Sequence, residues 1–169
     1  MKLLPAQEII YKTNLTEEEA IERITLAVIP TRSLEYRLPA NMVKRKYSGD
    51  IYGPVFKIQR KIGYRNSFLP QITGTIKEEP TGTVVNVSMQ MHSFVNTFLL
   101  IYISIPSAVF ITWLVAILAG GEFSLGVFIP FLFIGFAMLI SHVGFNYEAT
   151  TARIDLKKIF EAEIVSQTN

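Results

Sequence analysis

Two long segments without formal charge constrain this 169-residue chain more than any other feature. The first covers residues 94–121 and the second residues 123–145, and a short GGEFS turn joins them. Each is longer than the about 20 apolar residues that a helix needs to cross the hydrocarbon core of a bilayer. Two buried core helices of this length would need a larger surrounding domain, so the pattern predicts a transmembrane helical hairpin over residues 93–145.

The distribution of basic residues predicts how the hairpin is oriented. Lysine and arginine are found on both flanks of the hairpin, and the connecting turn has none. Basic residues favour the cytoplasmic side of a membrane. We therefore expect a multi-pass protein with both termini in the cytoplasm and the turn outside. The apolar run before Pro5 is too short for a signal peptide.

The composition argues against several classes of function. The chain has no cysteine, which excludes disulfides and thiolate metal sites. Its net charge of +2 is too small to indicate binding to a DNA or RNA duplex. The only histidines, His92 and His142, lie close to the apolar segments, and no glycine-rich phosphate loop, metal-ligand spacing or acid–base pair is visible. We predict a non-enzymatic protein without a cofactor or metal.

Residues 1–92 are predicted to form a cytoplasmic α+β domain. A strand over residues 6–14 precedes a capping box at Thr16, and an amphipathic helix follows and ends at Pro30. Residues 42–52, 55–64, 68–78 and 83–92 alternate apolar and polar side chains in the strand period, whereas residues 32–41 are ambiguous. This pattern predicts an antiparallel, barrel-like sheet with one apolar face, covered by one helix.

Residues 146–169 are predicted to form a third unit, a C-terminal cytoplasmic helix of about four turns. Ala152, Leu156, Ile159 and Phe160 recur on one side of this helix. It would either cover the sheet or pack on a neighbouring chain.

Arg60 and the stretch YRNSFLPQITG that follows are the main candidates for a site. By strand alternation Arg60 lies on the apolar face, where a guanidinium must pair with an acid or hold an anionic ligand. The basic and aromatic residues nearby indicate either attraction to anionic lipid headgroups or a pocket for a phosphorylated ligand. The candidate ligand-binding residues are Lys57, Arg60, Lys61, Tyr64, Arg65 and Asn66.

Small side chains recur every four residues along the first apolar segment. Such a stripe lets two helices approach closely in lipid, either within the hairpin or between chains. Its members, candidates for helix packing or oligomerisation, are Ser104, Ala108, Thr112 and Ala116.

The pattern YSGDIYGPVFKIQRKIGYRNSFLPQITGTI, followed by VSMQMHSFV and an apolar hairpin, resembles small bacterial two-transmembrane-helix proteins with a cytoplasmic β-domain. The matching positions are Gly49, Phe56, Ile58, Tyr64, Arg65, Asn66, Ser67, Phe68, Pro70, Gly74, Met89, Met91 and His92. The resemblance implies location in a bacterial inner membrane but no known activity.

A looser resemblance, in architecture alone, is to the two-helix β-barrel effectors of CBASS-type antiphage systems. It implies a β-domain that binds a cyclic nucleotide and helices that oligomerise and disrupt the membrane. In those effectors the helices precede the barrel, whereas here they follow the strands.

Two hypotheses of function remain open from the sequence. In the first, the β-domain senses a ligand such as a cyclic nucleotide, and the hairpin forms a homo-oligomer in the bilayer. In the second, the chain is a constitutive structural or accessory subunit that binds a protein partner through the β-domain and the C-terminal helix.

Overall fold

The computed structural model describes residues 4–31 and 45–168, which form a mixed α/β fold. The strands are β1 (Ala6–Thr13), β2 (Val28–Pro30), β3 (Tyr47–Tyr52), β4 (Val55–Arg60), β5 (Gln71–Glu79), β6 (Gly82–Gln90) and β7 (Glu163–Thr168). The helices are α1 (Glu17–Ala27), α2 (Ser93–Leu118) and α3 (Ile129–Ile159), and a short 3₁₀ turn, Leu125–Phe128, precedes α3. The ambiguous residues 32–41 and the start of the predicted strand at residues 42–52 lie outside the described residues.

The seven strands form one open sheet in the order β2-β3-β4-β5-β6-β1-β7. The β2–β3 pair is parallel, and the other neighbours are antiparallel. In the described part of the chain β2 and β7 are the two edges and do not pair with each other, so the predicted barrel is not confirmed. Alternation along a strand tells which face is buried but not whether a sheet closes.

One face of the sheet is apolar and buried, as the alternation predicts. Helices α1 and α3 cover this face with Ala20 and Ile24 from α1 and Ala152 and Leu156 from α3. The buried strand residues include Ile9, Tyr11, Phe56, Ile58, Ile72, Ile76, Val85, Val87 and Met89. The covering layer therefore has two helices, α1 and the end of α3, and of the two alternatives for the C-terminal helix the structure shows the one in which it covers the sheet.

The predicted start of α1 is confirmed in detail. The Glu19 backbone N–H donates to Thr16 Oγ1 at 3.2 Å, and the Thr16 N–H donates to Glu19 Oε2 at 2.9 Å. These bonds satisfy two amides at the helix start. The bond from the Thr16 N–H, and after it the bond from the Thr16 hydroxyl, lower the pKa of the Glu19 carboxyl. The helix ends at Ala27, before Pro30, because residues 28–30 instead pair with β3 as β2.

Helices α2 and α3 are long and apolar enough to cross a membrane. They form a hairpin in which the rings of Phe110 and Phe131 contact edge to face, 4.7 Å between centroids. Near the turn the Trp113 ring lies over Gly126. Apart from such contacts, most side chains in the apolar parts of the two helices are exposed.

The C-terminal part of the chain differs from the prediction. Residues 146–159 are not a separate helix but the continuation of α3, because no proline or turn sequence interrupts the helix after Phe145. The helix ends at Ile159 with Phe160 as its C-cap, and the next residue, Glu161, has a φ of 46° in the left-handed region. Residues 163–168 then form β7, an unpredicted strand antiparallel to β1.

Two predicted strands are shorter than expected. Strand β4 stops at Arg60 and β5 begins at Gln71, so residues 61–70 form a loop between them. We call residues 61–70 the connecting loop. It contains most of the motif that stood out in the sequence.

Candidate functional site

Asn66 shapes the connecting loop and fixes it to α3. Its side-chain oxygen accepts a hydrogen bond from the Phe68 N–H at 3.0 Å, and its backbone carbonyl accepts from the Leu69 N–H at 3.3 Å. This is the turn that an asparagine side chain favours. The Asn66 amide nitrogen donates to the Gly144 carbonyl at 3.0 Å. A turn residue therefore also holds the sheet against the helix.

Gly144 allows the loop to approach the helix closely. A β-carbon at this position would lie 3.1 Å from Phe68 Cδ2 and 3.3 Å from Asn66 Oδ1. Either distance is shorter than ordinary van der Waals contact. The glycine in the middle of α3 is therefore explained by the contact with the loop, although glycine weakens a helix.

Glu148, one turn after Gly144, is the charged centre of the contact. Its side chain is fully buried, at 0% exposure, and it forms an ion pair with Arg60, whose side chain is 20% exposed. The Tyr64 hydroxyl donates a hydrogen bond to the other carboxylate oxygen. A buried carboxylate is tolerated only when such partners compensate for its lost hydration.

Arg60, Tyr64, Asn66, Gly144 and Glu148 together form what we call the sheet–helix clamp. Of the two alternatives for Arg60, the structure supplies an acid partner from within the chain. Three of the six candidate ligand-binding residues, namely Arg60, Tyr64 and Asn66, thus converge on α3.

The other three candidates lie elsewhere. Lys57 is exposed and lies in register with Asp50 and Thr73, on the outer face of the sheet. Lys61 and Arg65 are exposed on the connecting loop. The six residues therefore do not line one pocket.

Further polar contacts hold α3 along the sheet beyond the clamp. The Tyr11 hydroxyl donates to the Arg153 carbonyl at 3.2 Å, and Thr13 Oγ1 donates to the Phe160 carbonyl at 2.7 Å. The Lys46 ammonium pairs with Asp155 at 2.8 Å. The part of α3 that follows the apolar segment is thus bonded to the sheet at several levels.

Glu148 and Asp155 are site residues that the sequence patterns did not predict. Both are buried on one side of α3 together with Ala149, Ala152 and Leu156. A helical projection that included Glu148 and Asp155 would have placed two acids on the apolar side, opposite an inward arginine. That pairing of opposite charges is the signal that could have found the clamp.

Two buried phenols lie beside this network. Burial raises the pKa of Tyr47, and the nearby Asp155 carboxylate raises it further, while Arg60 lowers it. Burial likewise raises the pKa of Tyr11. Both phenols therefore stay neutral in the folded protein well beyond physiological pH.

A basic cleft lies between the ends of α1 and α3. It has a volume of about 450 Å³ and is lined by Leu26, Ala27, Arg45, Lys46, Asp155, Lys158 and Ile159. Arg45 Nη1 donates to the carbonyls of Thr25 and Val28 at 3.1 and 2.6 Å. Three basic side chains and one acid thus line the cleft, with Arg45 bonded to backbone carbonyls and Lys46 paired with Asp155, which leaves Lys158 as the cation without a bond in this set.

The small-residue stripe of α2 faces away from α3. Ser104, Ala108, Thr112 and Ala116 are all exposed, whereas Phe110, which contacts α3, lies on the opposite side of the helix. The Ser104 and Thr112 hydroxyls donate to carbonyls of their own helix, at 2.8 and 3.0 Å. The stripe is therefore not what packs the two helices of the hairpin together.

Within the described residues, no group of three or more His, Cys, Asp and Glu side chains is arranged to hold a metal ion. No family model matches the chain, and neither the curated proteins nor the solved structures contain a significant match to it.

Proposed function

We propose that the chain is a non-enzymatic inner-membrane sensor whose sheet domain binds an anionic ligand in the basic cleft and whose hairpin oligomerises in response. A cyclic nucleotide fits the charge of the cleft. Oligomers of the hairpin would disrupt the membrane, as in an antiphage effector.

The observation that carries this proposal is the continuity of α3. One helix contains the second apolar segment, the clamp residues Gly144 and Glu148, and the cleft residues Asp155 and Lys158. A ligand phosphate in the cleft would compete with Asp155 for Lys46 and so change how the end of α3 contacts the sheet. Because the helix is unbroken, such a change reaches the hairpin without a flexible linker.

The exposed stripe of α2 supplies the oligomer surface in this proposal. Small side chains permit close approach of helices from neighbouring chains. A ligand can drive assembly only if it binds the assembled state more tightly than the monomer.

The test is the size of the detergent-solubilised full chain, measured by light scattering with and without cyclic dinucleotides and short oligonucleotides. We expect a ligand-dependent increase in size that is lost in Lys158→Ala and in Ala108→Phe. The matched controls are Lys57→Ala, an exposed cation on the outer face of β4, and Leu118→Phe, at the exposed end of α2 outside the stripe. Both should respond normally. An unchanged size with every ligand contradicts the proposal.

A second candidate function, a constitutive accessory subunit, is favoured by one observation. All six residues of β7 are exposed, and within the described residues no strand pairs with its outer edge. A free strand edge can accept a strand from a partner protein. A stoichiometric partner that co-purifies from native membranes, and is lost in Val165→Pro, would favour this function over the sensor.

A further inference from the structure

The connecting loop lies where α3 leaves the apolar segment. Counting about 20 residues from Leu125, the length needed to cross the hydrocarbon core, ends at Gly144. Asn66 bonds to Gly144 and Tyr64 bonds to Glu148, so Arg65 lies between two residues fixed at this level. If the helices cross a membrane, the loop is placed at the depth of the lipid headgroups.

Helix α2 places the loop at the same depth independently. Gln71, the first residue after the loop, pairs with Gln90, and His92 is the N-cap of α2. The loop therefore lies at the end of strands β5 and β6 from which α2 begins. Both apolar helices meet the sheet domain at this end of the strands.

The exposed side of the loop has the chemistry of a phosphate site. Arg65 is exposed, and the described residues include no ion-pair partner for it. The neighbouring Tyr64 is 54% exposed, although its hydroxyl is bonded to Glu148. A guanidinium can bind a phosphate through two parallel hydrogen bonds, and tyrosine rings are enriched at the membrane–water interface.

The acid nearest to this loop does not compete for a phosphate. Glu148 is the first acid on α3 after the apolar segment, and it is fully buried against Arg60 and Tyr64. The clamp thus uses Arg60 inside the protein and leaves Arg65 outside. The two arginines therefore have different surroundings, Arg60 at the end of β4 inside the protein and Arg65 on the exposed loop.

We propose that Arg65 and the exposed side of the connecting loop bind the anionic headgroup of a phospholipid. The occupant is a lipid rather than a soluble anion because exposed apolar side chains begin at the level of the loop and can receive acyl chains: Val143 precedes Gly144, to which the loop is bonded, and Phe94 is in the first turn of α2. The site is separate from the basic cleft. The proposal requires only that the two apolar helices cross a membrane.

Native mass spectrometry of the full chain, released from detergent with equal amounts of phosphatidylglycerol and phosphatidylcholine, tests this proposal. We expect phosphatidylglycerol adducts to dominate and to fall about fivefold in Arg65→Ala, the effect of one basic residue near an anionic surface. In Arg65→Lys, which keeps the charge but not the planar guanidinium, the phosphatidylglycerol adducts should fall by less. Lys57→Ala should retain the adducts, because Lys57 lies on the outer face of the sheet.

Two outcomes would overturn the proposal. One is equal adduct retention in Arg65→Ala and the wild-type chain. The other is displacement of phosphatidylglycerol by soluble glycerol phosphate, which would make the site one for free anions. Neither outcome bears on the ligand-dependent size of the protein, so the two proposals fail separately.

Discussion

At the scale of single residues, one buried carboxylate determines how the sheet and α3 contact each other. Glu148 has no exposed surface and depends on Arg60 and Tyr64 for compensation. Strand alternation correctly placed Arg60 on the apolar face, but it could not say which acid would meet it. The acid is 88 positions away in the sequence, and only the packing of α3 brings it close.

Removing one partner of this pair should destabilise the protein strongly. We expect Arg60→Ala to lower the free energy of unfolding by about 3 kcal/mol, because the Glu148 carboxylate stays buried without its counter-charge. Glu148→Ala should lower it by less, because the Arg60 side chain is 20% exposed and can reach water. The double variant Arg60→Met/Glu148→Leu should lower the free energy of unfolding by much less than the sum of the two single losses. Denaturant unfolding in detergent micelles would measure these values, and strictly additive losses would show that the two charges do not interact.

The two buried phenols predict a loss of stability at alkaline pH. Their raised pKa keeps Tyr11 and Tyr47 neutral in the folded state, whereas in the unfolded chain a phenol ionises at about pH 10. The stabilising contribution is therefore complete below about pH 10 and decreases above it, at up to about 1.4 kcal/mol per pH unit for each phenol. Tyr47→Phe should reduce this decrease, as measured by unfolding curves at several pH values.

The two phenols also differ at neutral pH. The Tyr11 hydroxyl donates to the Arg153 carbonyl, whereas the Tyr47 hydroxyl has no partner among the described residues. Tyr11→Phe should therefore lower the free energy of unfolding by about 1 kcal/mol, and Tyr47→Phe should leave it almost unchanged, as measured by denaturant unfolding at neutral pH. Equal losses would mean that the Tyr47 hydroxyl is bonded in solution.

At the scale of elements, the fold depends on how α3 and the connecting loop meet. The sequence predicted α1, most strands and the apolar segments, because each has its own local pattern of caps, alternation or hydropathy. It did not predict that α3 continues past the apolar segment, since a continuous helix and two adjacent helices have the same local pattern. It also missed β7, whose six exposed residues carry no alternating burial.

Two glycines of α3 provide a matched test of the loop contact. Gly144→Ala should destabilise the protein by about 1–3 kcal/mol, because its β-carbon would press on Phe68 and Asn66. Gly135→Ala should be neutral or stabilising, because nothing lies within 4 Å of a β-carbon there. Thermal unfolding in detergent would compare them, and a neutral Gly144→Ala would mean that the loop moves aside freely.

At the scale of the whole molecule, the sheet domain and the hairpin share one core. The buried residues Phe145, Ala149 and Phe160 of the C-terminal half pack with Phe56 and Met89 of the sheet. The predicted division after residue 92 therefore separates the sheet from half of its cover.

A fragment of residues 1–92 should accordingly fail to fold, because without the end of α3 the part of the apolar face that α1 does not cover is exposed to water. A second fragment, in which a short Gly-Ser linker replaces residues 93–144, keeps the end of α3 and β7 and should fold. Dispersion of amide signals in NMR spectra would distinguish the two. A well-dispersed spectrum of residues 1–92 alone would show that α3 is dispensable to the sheet.

The pairing of β7 with β1 has a consequence for biosynthesis. The first and last strands of the chain are neighbours in the sheet, and the hairpin lies between them in the sequence. During translation both apolar segments are synthesised before the end of α3 that covers the sheet and before β7. The seven-strand sheet therefore cannot be completed until the two apolar helices have been synthesised, so strands β1 to β6 form at most an incomplete sheet while the hairpin emerges from the ribosome.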